Sequence, residues 1–363
     1  MRVRTESAPA IVARAPKGRP ALHTAGAAVL LATATGIAGC SGSPDAQAEA
    51  RESAAAGATA GAAQTPAGTA GARQIDWKAV DAAMGRTGTE QPGNVRRYGM
   101  PRSDMRVTVQ GVQLKPSFAL GSWLAMTPHG DGVMAMGDMV LKESEVAPVM
   151  SALQAGGVGQ TAVHHHVLHE TPRVVYMHVH GMGDPVKIAQ TVRAALGRTS
   201  TPPPAPGAAP SAGDQGDAAG AGRPGAGAGA LGIDTAAITR TLGHAGKVNG
   251  GVYQVSVPRA ETIRDAGMEV PTSMGLATAI NFQPTGGGKA AITGDFVMIA
   301  SEVNPVIRAL RDNGIEVTSL HNHLLADEPR LFFMHFWAND AAAKLARGLR
   351  AALDRTNSRR ASQ

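Results

Sequence analysis

Apolar residues recur along this chain with two periods, and the same succession of periods occurs twice. At 75–84, and again at 233–242, they are spaced for one face of a short helix, closed by Gly85 and Gly243. Alternation follows: Tyr253, Val255 and Val257 read as a half-buried strand. Hairpins are expected from 122–126 with 133–136 and from 278–282 with 290–292, because Gly- and Pro-bearing turns separate the members. Helical spacing returns at 144–155, where Val146, Val149, Met150 and Leu153 share a side, and at 301–312. Pro148 and Pro305 are expected in first turns, where a missing N–H costs little, and Gly157 and Gly314 as left-handed stops. Strand pairs at 161–168 with 173–180, and 318–325 with 330–337, each joined by a tight loop, precede closing helices at 185–196 and 340–353. The fold class read from this order is α+β: two tandem homologous domains, each an antiparallel sheet with helices on one face.

The repeat keeps its register. His164-His165-His166 is answered 157 positions later by His321-Asn322-His323. The same offset maps Pro172-Arg173 onto Pro329-Arg330, Met177-His178 onto Met334-His335, and Gly137-Asp138 onto Gly294-Asp295. Two copies of one unit follow, at 74–199 and 231–356.

Composition changes this picture at the N-terminus and between the copies. Residues 1–40 carry a basic start, a short apolar stretch and then Ile37-Ala38-Gly39-Cys40, which looks like a lipoprotein signal with Cys40 as the lipidated residue. Cys40 is the single cysteine, so no disulfide can form within the chain. The leader's five Lys/Arg and one acid account for four of the six net positive charges, leaving +2. That balance gives no basic patch for nucleic acid. Residues 41–73 and 200–230, rich in Ala, Gly, Ser and Pro, read as a tether and a linker. An extracytoplasmic protein, lipid-anchored to the cell membrane or the outer membrane, is expected.

Three histidines hold their places in each copy: His164, His166 and His178, and His321, His323 and His335. If Leu168 pairs with Val174, His164 lies opposite His178, and His164, His166, Tyr176, His178 and His180 share a face. The other face, with Val163, His165, Val167, Val175, Met177 and Val179, is then turned to the helices; the second copy repeats this with Leu320, Leu324, Phe332, Met334 and Phe336, apolar apart from Asn322. Two imidazoles on one strand and a third across the ladder suit a divalent metal, zinc before copper. Glu170 and Asp327 are candidate bases or orienting groups, and Arg173 and Arg330 candidate anion-binding groups. Histidines that merely satisfy backbone carbonyls are the plainer alternative. His165, His169 and His180 have no counterparts, so a site using them belongs to the first copy only. Met134, Met136 and Met139 admit copper but fit core filling better. Asp138 and Asp295 read as turn or bulge residues. The glycine run at 286–288 before Lys289 lacks the spacing of a phosphate loop.

The chain resembles the LppY/LpqO-type bacterial lipoprotein family, a domain of unknown function. The resemblance lies in Gly250-Gly251-Val252-Tyr253, Ser256-Val257-Pro258-Arg259, Ile292-Thr293-Gly294-Asp295-Phe296-Val297, Glu302 to Leu310, His321-Asn322-His323-Leu324-Leu325 and Pro329 to His335. The first copy is a looser version. The resemblance implies a lipoprotein and supplies no mechanism. Three functions stay open: a module binding a divalent metal or small polar ligand on its histidine faces, a zinc-dependent hydrolase of the envelope, and a structural envelope protein.

Overall fold

The computed structural model describes residues 74–204 and 231–359. The expected signal and tether, including Cys40, and linker residues 205–230 lie outside the described residues. The first repeat runs α1 (Trp77–Met84), β1 (Thr89–Gln91), β2 (Val95–Pro101), β3 (Thr108–Val109), β4 (Val112–Gln113), α2 (Pro116–Ala119), β5 (Gly121–His129), β6 (Gly132–Lys142), α3 (Glu143–Ala155), β7 (Gly159–His164), β8 (Glu170–Thr171), β9 (Val174–Gly183) and α4 (Pro185–Leu196). The second runs α5 (Thr235–Leu242), β10 (Gly246–Asn249), β11 (Val252–Pro258), β12 (Arg264–Asp265), β13 (Met268–Glu269), β14 (Ala277–Gly286), β15 (Lys289–Ile299), α6 (Ala300–Asp312), β16 (Glu316–His321), β17 (Asp327–Glu328), β18 (Leu331–Ala341) and α7 (Ala342–Leu353). A 3₁₀ turn, Thr272–Met274, stands where the first repeat has α2. No helix among the described residues is long and apolar enough to cross a membrane.

Each repeat builds a six-stranded antiparallel sheet, in the orders β1-β2-β5-β6-β9-β7 and β10-β11-β14-β15-β18-β16. The α+β class and the two tandem copies are thus as expected. Local chemistry explains the helix ends. Asp76, Asp184 and Asp234 accept hydrogen bonds from first-turn N–H groups of α1, α4 and α5, while Gly85 and Gly243 close α1 and α5 at φ 72° and 77°. One expectation changes. Helices α3 and α6 begin a residue early, so Pro148 and Pro305 fall in second turns, where each denies a partner to the carbonyl of Ser144 or Ser301.

The helices cover one face of each sheet. Val149, Leu153, Ile188 and Val192 pack on Val175, Met177 and Val179; Val306, Leu310, Leu345 and Leu349 pack on Met334 and Phe336. The other faces pack on each other, giving a helix–sheet–sheet–helix stack. Two mixed cores fill that interface: Tyr176 and Phe118 with Ala291 and Trp337, and Trp123 and Met134 with Val297 and Phe333. Tyr253, Val255 and Val257 lie in the helix-side core, as their alternation implies, but Val252 and Gln254 on the other face are buried as well, so β11 is covered on both faces rather than one. Polar crossings add register: the Lys115 N–H donates to Gln283 Oε1 (2.8 Å), and Thr318 Oγ1 donates to the His166 carbonyl (2.6 Å).

The repeat also preserves a buried ion pair. Arg102 Nη1 meets Glu145 Oε2 at 2.7 Å, and Arg259 Nη1 meets Glu302 Oε2 at 2.6 Å. The two guanidiniums also donate to the carbonyls of Val140 and Val297, fastening the second hairpin strand to the helix it enters. Arg259→Ala leaves Glu302 buried without its cation and should cost about 3–5 kcal/mol, read from the urea midpoint. A loss below about 1 kcal/mol would show that the pair is dispensable.

Candidate metal centre

The histidines lie on the face expected for them, the one turned from the helices, and that face is the inter-sheet interface. His178 lies mid-β9 opposite Asp138 of β6, and His335 lies mid-β18 opposite Asp295 of β15. His164 and His321 end β7 and β16; His166 and His323 follow just beyond. The register differs from expectation. His164 pairs with Tyr176, and His178 with Ala162. The segment 165–173 is no tight loop: it turns back so that β8 pairs with β3. A slip of two residues keeps every side chain on its face, which is why the face was right and the partner wrong. Beyond His164 and His321 the alternation ends, so Val167 and Leu324 pack between the sheets, not under the helices, while Val163 and Leu320 are about half exposed.

All six histidines converge. His164 Nε2 lies 3.2 Å from His335 Nε2, and His321 Nε2 lies 3.2 Å from both His178 Nε2 and His323 Nε2. The first two contacts interchange when the repeats interchange, which marks an approximate twofold relation. The rings of His164 and His321 stack at its centre, centroids 3.8 Å apart. His166 lies 3.8 Å from His335, and His323 lies 3.9 Å from His178, ring to ring. Each H-x-H pair therefore meets its close third imidazole from the opposite repeat. His178 stays near His164 of its own repeat, ring centroids 4.9 Å apart, as expected, but the third imidazole beside His166 is His335 of the other repeat.

Neighbouring groups aim the rings. Carbonyls only accept, so the Nδ1 atoms of His178, His335 and His323, facing the carbonyls of Gly137 (3.4 Å), Gly294 (2.6 Å) and Gly275 (3.1 Å), carry the proton. Their Nε2 lone pairs then point into the cluster, the arrangement metal-ligating histidines use. A Cβ on Gly137 would come within 2.5 Å of the Trp123 carbonyl, and one on Gly294 closer still to that of Ala279, so only glycine lets the strands approach here. His166 stacks on Tyr176 at 3.3 Å and His323 on Phe333 at 3.5 Å.

Burial sets the charge. Desolvation, with mutual repulsion among the rings second, holds His164, His166 and His321 well below the usual imidazole pKa; it also lowers His335, and brings His178 and His323 to about 3. All six are neutral near pH 7, the form that binds metal. Two neutral lone pairs 3.2 Å apart repel unless a proton or a cation lies between them. Nitrogens bound tetrahedrally to zinc at 2.0–2.1 Å are about 3.3 Å apart.

Two carboxylates missed in the sequence complete the cluster. Asp138 Oδ2 lies 3.4 Å from His166 Nε2, and Asp295 Oδ2 lies 3.0 Å from His323 Nε2. Asp138 Oδ1 and both Asp295 oxygens are buried without a hydrogen bond among the described residues. Burial pushes Asp295 up to about 6. These are mid-strand residues, not turns. The signal was the Gly-Asp pair kept at the repeat offset.

The other candidates have different partners. Glu170 accepts from the Val174 N–H (3.0 Å) and Asp327 from the Leu331 N–H (2.7 Å), each closing its own loop. Burial raises Glu170 to about 7, yet its imidazole neighbour is His165, 3.6 Å away, outside the cluster. Arg330 binds Asp327 and the Leu325 carbonyl; exposed Arg173 reaches His165 and Glu143. His180 meets Asp265 of the other repeat at 3.2 Å. Met134 and Met136 pack with Trp123 and Phe333 in the inter-sheet core.

Comparison with known proteins adds little about function. No curated protein matches the chain. A trimeric bacterial microcompartment shell protein, PduB, aligns at 12% identity over 74% of this chain and 91% of its own, with a TM-score of 0.19. A family model described as Domain of Unknown Function (DUF1259) matches residues 78–198 and 236–355. The chain belongs to that family and carries its domain in two tandem copies.

Proposed function

We propose that this chain is an exported lipoprotein of the LppY/LpqO type, anchored through Cys40 to the extracytoplasmic face of the cell membrane or the periplasmic face of the outer membrane, whose two repeats together hold a divalent metal. The observation that carries the metal reading is the convergence of six neutral imidazoles, three from each repeat, with three Nε2–Nε2 contacts of 3.2 Å among them. Zinc is favoured over copper, because the nearby methionines belong to the apolar core. The leader pattern and Cys40 support the anchor.

Holding is favoured over hydrolysis. The hollow that touches Asp138, His166 and His335 is about 10 Å³, room for one water, and the open hollow of about 360 Å³ on the protein's flank reaches His164 alone of the six. Glu170 and Asp327, the bases a hydrolase would need, are engaged in their own loops.

Metal analysis of the mature, tag-free protein, loaded with zinc and then dialysed, tests the reading. Retention of at least one zinc per chain is expected. A value near zero after loading with zinc, and separately with copper, would sink it.

A further inference from the structure

The cluster holds more nitrogens than one ion can use, and it divides evenly. Tetrahedral zinc takes four ligands, whereas six imidazoles and two carboxylates converge here. Resting on the metal reading above, we propose that the cluster is two metal sites, each assembled from both repeats. One comprises His164, His166 and Asp138 with His335 of the second repeat. The other comprises His321, His323 and Asp295 with His178 of the first.

Three observations point to this division. The two sets share no residue, and exchanging the repeats converts one into the other. Their dimensions agree: ring centroids in the first are 5.1, 5.2 and 3.8 Å apart, and in the second 5.1, 5.2 and 3.9 Å. Each contains one carboxylate beside the outer imidazole of its H-x-H pair, and each carboxylate has at least one buried oxygen without a hydrogen bond among the described residues. Three nitrogens and one carboxylate oxygen make a closed four-ligand set, as structural sites have, and the carboxylate offsets one of the two charges each ion brings. Each ion would tie the two sheets together, because its ligands come from both.

A single central ion is the rival. His164, His178 and His321 also have ring nitrogens within 4.8 Å of one another, around the stacked pair, and Asp295, His321 and His335 offer ligand atoms within the same distance, so either grouping would cross the division. Stoichiometry separates the two. Zn²⁺ titration of the tag-free protein, read by native mass spectrometry, should end at two ions per chain. Co²⁺ titration should give tetrahedral visible bands that grow until the second equivalent. His335→Ala removes one ligand from one set and should leave one tight ion; His178→Ala should do the same. If alanine unfolds the chain, His335→Gln fills the space, and the wild-type endpoint decides regardless. An endpoint of one ion in the wild type overturns the two-site division and leaves the metal reading standing. Zero ions overturns both. Two ions in the wild type with two retained at full affinity in His335→Ala and His178→Ala would place the metal elsewhere and also overturn the division.

Discussion

The metal-free protein is expected to lose stability steeply as the pH falls from about 6.5 toward 3. His178 and His323 take up protons near 6.5 in the unfolded chain but only near 3 in the folded one. Between those values the unfolded state binds more protons, so acid favours unfolding; above 6.5 both states are neutral and the histidines impose no pH dependence. Each contributes a loss of up to about 5 kcal/mol by pH 3, and His164, His166, His321 and His335 shift in the same direction. Against this, Asp295 and Glu170, raised by burial to about 6 and about 7, offset part of the loss. The net stability of a domain is about 5–15 kcal/mol, so the interface should open before the full loss accrues. Circular dichroism during acid titration, with chelator present, checks this. A cooperative transition with uptake of two or more protons is expected. Native signal persisting to pH 3 without metal would show that the imidazoles are not buried against one another.

Zinc should stabilise the folded chain by an amount comparable to that loss. A ligand that binds only the folded state adds about 4 kcal/mol at a thousandfold excess over its Kd. For a body of this size that is roughly 10 °C in Tm. The ligands of each group come from both sheets, so both repeats should melt in one transition that moves together, and chelator should return Tm to its starting value. In the same experiment zinc should move the acid transition to lower pH, because metal and protons compete for the same Nε2 atoms. Scanning calorimetry with and without zinc reads both. A Tm unmoved by excess zinc would contradict a metal held between the sheets.

Much of the site was legible before the structure, and the reason is local. Side chains on a strand alternate, so the set Tyr176, His178 and the set Val175, Met177, Val179 had to part to opposite faces whatever the partner strand. The register of β7 was not legible, because it depends on how 165–173 folds back against β3. Asp138 and Asp295 were misread for a related reason. Gly-Asp is turn chemistry in isolation, and here an eleven-residue strand runs straight through each pair.

By itself the sequence determined the α+β class, the duplication, the helix stops at Gly85, Gly157, Gly243 and Gly314, and the face on which the histidines emerge. All of these follow from short-range periodicity and backbone preference. Long-range packing alone sets the two histidine faces against each other, brings each H-x-H pair its close third imidazole from the opposite repeat, and adds Asp138 and Asp295 to them. Those facts rest on sheet-against-sheet packing between residues some 150 positions apart, which no local pattern encodes.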